Sequence, residues 1–190
     1  MNPSAPIAPF EAALGSRFAL APEAVRASHR AGLCARFSGM AEIAPATSPL
    51  ARVVARLFGL PSAGTSVPVT VTKRRDADGE TWERNFGGRI MCSHISFKRP
   101  GVVEERFGPF RFDLALDANT DALTMRIISW RLGPLPLPRA LAPSSDAAES
   151  QDAEGRFHFD VPIALPLFGR LTHYTGWLKL DALNAPPPAP

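Results

Sequence analysis

From residue 67 almost to its end, the chain alternates apolar and polar residues with a period of two, the pattern of strands that bury one face. The registers follow from asking which pairings bring apolar residues opposite apolar residues. Joined around "DADG", "VPVTVTK" and "TWERNF" place Val67, Val69 and Val71 on one face with Trp82, Arg84 and Phe86. Thr70, Thr72, Glu83 and Asn85 fall on the other face, and a one-residue slip would mix the two sets.

Three further pairs follow. Between "FRFDLAL" and "ALTMRII", setting Leu116 against Leu123 brings Phe112 opposite Ile127, Leu114 opposite Met125 and Asp113 opposite Arg126. This register leaves Trp130 off the Phe112 face unless the strand bends. Between "RFHFDVPIAL" and "RLTHYTGWLKL", the apolar residues gather when Phe157 faces Leu178, Phe159 faces Gly176 and Val161 faces Tyr174. An aromatic ring lying across a strand glycine is a stabilising arrangement. "RIMCSHISF" and "VVEERFG" form the last pair, and Gly87 and Gly88 bend the sheet just before it.

Helical signals are concentrated before residue 67. "PFEAALGSRF" predicts a short helix ending near Gly15. "APEAVRASHRAG" has Pro22 placed for a start and Gly32 for a stop. "SPLARVVARLFGLP" has Ser48 as cap and Pro49 at its first position, with Leu50, Val53, Val54, Leu57 and Phe58 as an apolar stripe. "LCARFSGMAEI", 33–43, alternates as a strand between them.

The fold class is therefore α+β: a strongly curved antiparallel sheet of about nine strands, a half-barrel or barrel, with two or three mainly N-terminal helices. One domain is expected over residues 10–183. It follows a flexible N-terminus, 1–9, and precedes a disordered Pro-rich tail, 184–190. The acidic stretch 143–154 is expected to be a mobile loop, because it holds almost no large apolar residues.

Charge and composition exclude more than they point to. The net charge of +3 is too small to demand nucleic acid. The densest basic run, "KRR" at 73–75, reads as a solvated strand end. Two cysteines, Cys34 and Cys92, make neither a disulfide framework nor a zinc pattern. The first residues lack a basic and a long apolar region, so no signal peptide is expected. No apolar run is long enough for a membrane span. Reduced thiols then favour a cytoplasmic location.

His29, "GLP" at 59–61, "WERNFGG", "FGPFRF", "GPLPLPRALAP" and "FHFDVPIALPLFGRLTHYTGWL" occur in this order. This ordered set resembles the bacterial family catalogued as domain of unknown function 4166, over roughly Phe10 to Leu180. Members of that family also occur behind saccharopine-dehydrogenase-like or short-chain-dehydrogenase-like domains. The resemblance implies a shared fold and a possible dehydrogenase-like protein partner, but no chemistry. No Gly-x-Gly-x-x-Gly turn is present here, so no nucleotide cofactor is expected.

Catalytic patterns are sparse. The four histidines, His29, His94, His158 and His173, are not spaced as metal ligands, and no metal is expected. No Gly-x-Ser-x-Gly elbow occurs. Ser93 and His94 are neighbours on a strand and point to opposite faces. His29 reads first as a structural, hydrogen-bonded histidine, with ligand contact or general base as the alternative. Tyr174, the only tyrosine, reads first as a buried phenol satisfied by a backbone carbonyl.

The most informative residue is Arg84, an always-charged side chain on an inward face between Trp82 and Phe86. Its compensation is either an internal partner or the anionic head of a ligand. The leading expectation is a binding module for a small apolar or amphipathic molecule, an anionic lipid-like one among the candidates, held by Trp82, Arg84, Phe86, Tyr174 and His29. One alternative is an enzyme, or a catalytic accessory of a separate dehydrogenase-like protein. The other is a structural or interaction domain whose core is filled by its own side chains.

Overall fold

The structure, a computed structural model, describes residues 7–181. Three α-helices occur: α1 (Pro9–Leu14), α2 (Glu23–Arg30) and α3 (Pro49–Leu57). A 3-10 turn, Gly15–Leu20, links the first two. The strands are β1 (Cys34–Ala44), β2 (Gly64–Arg75), β3 (Glu80–Phe86), β4 (Arg89–Arg99), β5 (Val102–Phe107) and β6 (Phe110–Ala118). They continue as β7 (Ala122–Leu132), the two-residue β8 (Leu135–Pro136), β9 (Asp146–Gln151), β10 (Phe157–Leu165) and β11 (Gly169–Leu180).

Every neighbouring pair is antiparallel. The sheet closes because β6 pairs with β7, β7 with β9, and β11 with β1. The result is a ten-stranded up-and-down barrel with β8 as an extra strand beside β7. Closure removes the exposed edges that an open sheet of this length would carry.

The first and last hairpins hold the expected registers. Val69 pairs with Phe86 and Val71 with Arg84, while Phe157 pairs with Leu178, Phe159 with Gly176 and Val161 with Tyr174. The middle hairpin does not. Leu116 pairs with Met125 and Leu114 with Ile127, two residues along from the expected register. The inward set is unchanged, because a two-residue shift preserves the facing. A bulge after Asp113 then brings Trp130 opposite Phe112 on the inside. Asp113 consequently meets Ser129 and Lys98 and not Arg126.

The segment 143–154 is not a loop. Its residues 146–151 are β9, in register with β7 and β10, and complete the barrel wall. Ala147 and Glu149 point inward and are buried, so small and charged residues here do the work of an inner strand face. The expected count of about nine strands falls short of eleven because it lacks β9 and the two-residue β8. Ala8 and Pro9, expected within a flexible N-terminus, are buried at the start of α1. The rest of that expectation, and the tail 184–190, lie outside the described residues.

The N-terminal helices plug one end of the barrel. Phe10, Phe18 and Val25 are fully buried there, and α1 packs on β4, β5 and β6 while α2 packs on β9 and β10. Helix α3 lies at the other end, against β11. Ser48 caps it by accepting from the Ala51 amide, as its position predicts. Its orientation differs from expectation: Ala51 and Ala55 face inward, while Leu50, Val53 and Leu57 are exposed. No helix among the described residues is long and apolar enough to cross a membrane.

Candidate ligand cavity

Packing leaves a cavity of about 320 Å³ inside the barrel, within the range of small-molecule sites. It runs from a buried floor near α1 and α2 to an open end beneath Phe58. Residues at the floor, among them Phe10, Ile95, Lys73 and Glu149, are nearly inaccessible. Those at the other end, Phe58, Phe107, Phe110, Phe112 and Trp130, are half-buried, so this end is the mouth. The rings of Phe112 and Trp130 stack at 6.4 Å with 7° between planes, and Phe58 lies 5.4 Å from Phe110. The mouth is thus an aromatic collar.

Most polar groups lie away from the mouth, the exceptions being Ser145 and Glu105, which pairs across the strands with Phe112 of the collar. Lys73 occupies the position after Val69 and Val71 on the inward face of β2, opposite Trp82. Its ammonium donates to Ser28 Oγ at 2.9 Å and lies 4.1 Å from the Trp82 ring centroid. The guanidinium of Arg84 lies over a Trp82 ring at 4.8 Å. Trp82 therefore has two cations within reach of its ring system, and its own indole N–H donates to Glu80 at 2.5 Å. Glu80 is held in turn by Arg75 at 2.8 Å.

Arg84 lines the cavity. It donates to Ser93 Oγ at 2.9 Å and stands 3.4 Å from Glu105, which also lines the cavity. Its charge is accompanied, but one ordinary hydrogen bond and one long ion pair do not exhaust five N–H donors. Phe86 and Phe159 flank Tyr174, with centroids 5.1 and 6.1 Å away. Burial pushes the Tyr174 phenol up to about 12. Among the described residues no backbone carbonyl accepts from it, contrary to the simplest expectation for a buried tyrosine. It is a donor facing the cavity.

His29 does not line the cavity. It is wholly buried behind Phe10 and Trp82, and its Nε2–H donates to Glu149 Oε2 at 2.6 Å. Burial opposes the Glu149 carboxylate, yet contacts with His29, then Lys73 and Arg84, hold its pKa below the ordinary range. Burial likewise lowers the Lys73 pKa, with Glu149 and Glu80 offsetting part of the effect. These carboxylates and cations form one buried network at the floor.

Of the residues singled out from sequence, Trp82, Arg84, Phe86 and Tyr174 meet at the cavity wall, and His29 lies behind its floor. The sequence pattern marks neither Lys73 nor Glu149 as a cavity residue, and the structure adds both to the lining. The "KRR" run is not a solvated end, since only Arg74 is exposed. Simple continuation of the Val67, Val69, Val71 alternation would have turned Lys73 inward. Nothing local marks Glu149, whose partner is 120 residues away.

Residues 21–178 match the family model described as "Domain of unknown function (DUF4166)". The chain belongs to that family. No curated protein and no solved structure matches it. The cavity of this DUF4166 member can bury an apolar body near its mouth and meet a polar group at Arg84 and Tyr174.

Proposed function

We propose that the barrel binds a small amphipathic molecule, with its polar head beside Arg84 and Tyr174 and its apolar body under the aromatic collar. The observation that carries this reading is the segregation within one cavity. Aromatic and apolar side chains dominate its mouth, where Glu105 is the one charged group among the described residues, while Arg84, Tyr174 and Lys73 line the buried part with donors to offer. An anionic, lipid-like head suits these donors, because a carboxylate can accept from guanidinium and phenol together.

A filled, purely structural core is disfavoured by the cavity itself. An enzyme, or an accessory to a separate dehydrogenase-like protein, has less support. A phenol pushed up to about 12 is a poor base at neutral pH, and the one buried histidine does not reach the cavity. Free, exposed Cys34 and Cys92 fit a cytoplasmic location.

Displacement of a fluorescent fatty-acid probe tests the proposal. Dodecanoate should displace the probe better than dodecanol, since only the acid engages Arg84 as an ion. Absence of probe binding, or equal displacement by a water-soluble short-chain acid, would count against it.

A further inference from the structure

The two ends of the barrel differ in chemistry. The connections at the mouth end are residues 45–63, 87–88, 108–109, 133–145 and 166–168, and they contain no Asp or Glu. They carry Arg52, Arg56 and Arg139, and Arg89 and Arg170 stand at the adjoining strand starts. The turns at the closed end hold Asp76, Asp78, Asp121, Asp152 and Glu154. Among the described residues, no carboxylate lies within ion-pair distance of Arg52, Arg56, Arg89 or Arg139. The acids nearest this rim are already engaged: Glu42 accepts from the Ser66 amide, Glu104 pairs with Arg111 and Arg131, and Glu105 pairs with Arg84 at 3.4 Å.

The same end exposes large apolar side chains. Helix α3 places Leu50, Val53 and Leu57 on its outer face, with Leu57 81% exposed. Leu167, at the tip of the β10–β11 turn, is 93% exposed and holds a left-handed backbone (φ 71°), which is costly for a non-glycine residue. Ile90 and Leu135 join them. An apolar helix face flanked by arginines is the pattern of an element that lies in a membrane interface. A rim whose connections carry arginines and no acid is complementary to anionic headgroups.

We propose that the mouth end of the barrel docks on an anionic lipid bilayer, with Leu50, Val53, Leu57 and Leu167 entering the interface and Arg52 and Arg56 meeting the headgroups. The patch is continuous with the cavity, since Phe58 follows α3 directly and forms part of the collar. Docking would bring the mouth against the bilayer, so that an amphipathic ligand could pass between lipid and cavity without crossing water. This last step rests on the reading of the cavity as a ligand site, whereas docking itself does not.

The test is co-sedimentation of the full chain with vesicles of phosphatidylcholine alone or mixed with phosphatidylglycerol. Wild type should pellet with the mixed vesicles and be largely released by high salt. The double variants Leu57→Ser/Leu167→Ser and Arg52→Glu/Arg56→Glu should each lose most of the bound fraction. Their dodecanoate binding in solution should stay unchanged, so failure of the cavity reading and failure of docking are distinguishable. Wild type that remains in the supernatant with mixed vesicles, or variants that pellet as wild type does, would overturn the proposal. So would a wild-type dimer in sedimentation velocity that the leucine variant converts to monomer, because a second copy would then be the occupant of this face.

Discussion

His29 Nε2 and Glu149 Oε2 lie 2.6 Å apart, and both side chains are almost wholly buried. The contact ties the helical plug to β9 at the cavity floor. Removing one partner leaves the other buried without compensation, so Glu149→Ala should cost about 3–5 kcal/mol. Urea unfolding measures this. A loss below about 1 kcal/mol would show that water replaces the carboxylate at little cost.

The same contact sets a pH dependence. The folded-state pKa of Glu149 is depressed from its ordinary value of 4.5. Its contribution is therefore fully present above that value and is lost as pH falls through the lower, folded-state pKa. The stability difference between wild type and Glu149→Gln should be constant above that ordinary value and shrink in more acidic solution. Parallel unfolding series across this range provide the check, and a difference that grows on acidification would contradict the sign.

Strand β9 gives the next prediction. Reading 143–154 as a mobile acidic loop implies that it can be shortened freely. The structure implies the reverse, since residues 146–151 pair with two strands and supply Glu149. Replacing the segment with a Gly/Ser linker should abolish cooperative thermal unfolding. A melting temperature within a few degrees of wild type would mean that the barrel closes without it.

Gly176 lies where two chains and a ring converge. A Cβ built there would stand 2.1 Å from the Met40 carbonyl oxygen and 2.7 Å from Phe159 Cζ. The backbone contact cannot be relieved by a side-chain rotation, so Gly176→Val should cost at least about 1–3 kcal/mol. Thermal unfolding of the variant at wild-type stability would show that β1 and β10 move apart readily.

These residues also show how far the sequence is legible. Alternation sufficed for the hairpin that contains Arg84 and for the one that contains Gly176, because an incorrect facing mixes valine with threonine or buries lysine beside glycine. It placed Trp82, Arg84, Phe86 and Tyr174 on the inside. It could not resolve a two-residue shift between β6 and β7, which preserves every facing, or the bulge that turns Trp130 inward. It missed β9 because the inward face there is Ala147 and Glu149, which no hydrophobic pattern marks. It misjudged α3 because a helix at a cavity mouth can bury alanines and expose leucines, the opposite of a helix on a closed core.

The central claim is that the barrel holds an amphipathic molecule head-down in its cavity, and calorimetric titration with dodecanoate tests it most directly. Three proteins are compared: wild type, Arg84→Met and Ala147→Phe. Arg84→Met removes the charge while Glu105, partly exposed, stays hydrated. Ala147→Phe places a ring in the cavity from β9. The account predicts one-site binding by wild type, several-fold weaker binding by Arg84→Met, and none by Ala147→Phe, with all three folded by circular dichroism. No binding by wild type, or binding by folded Ala147→Phe as tight as by wild type, would contradict it.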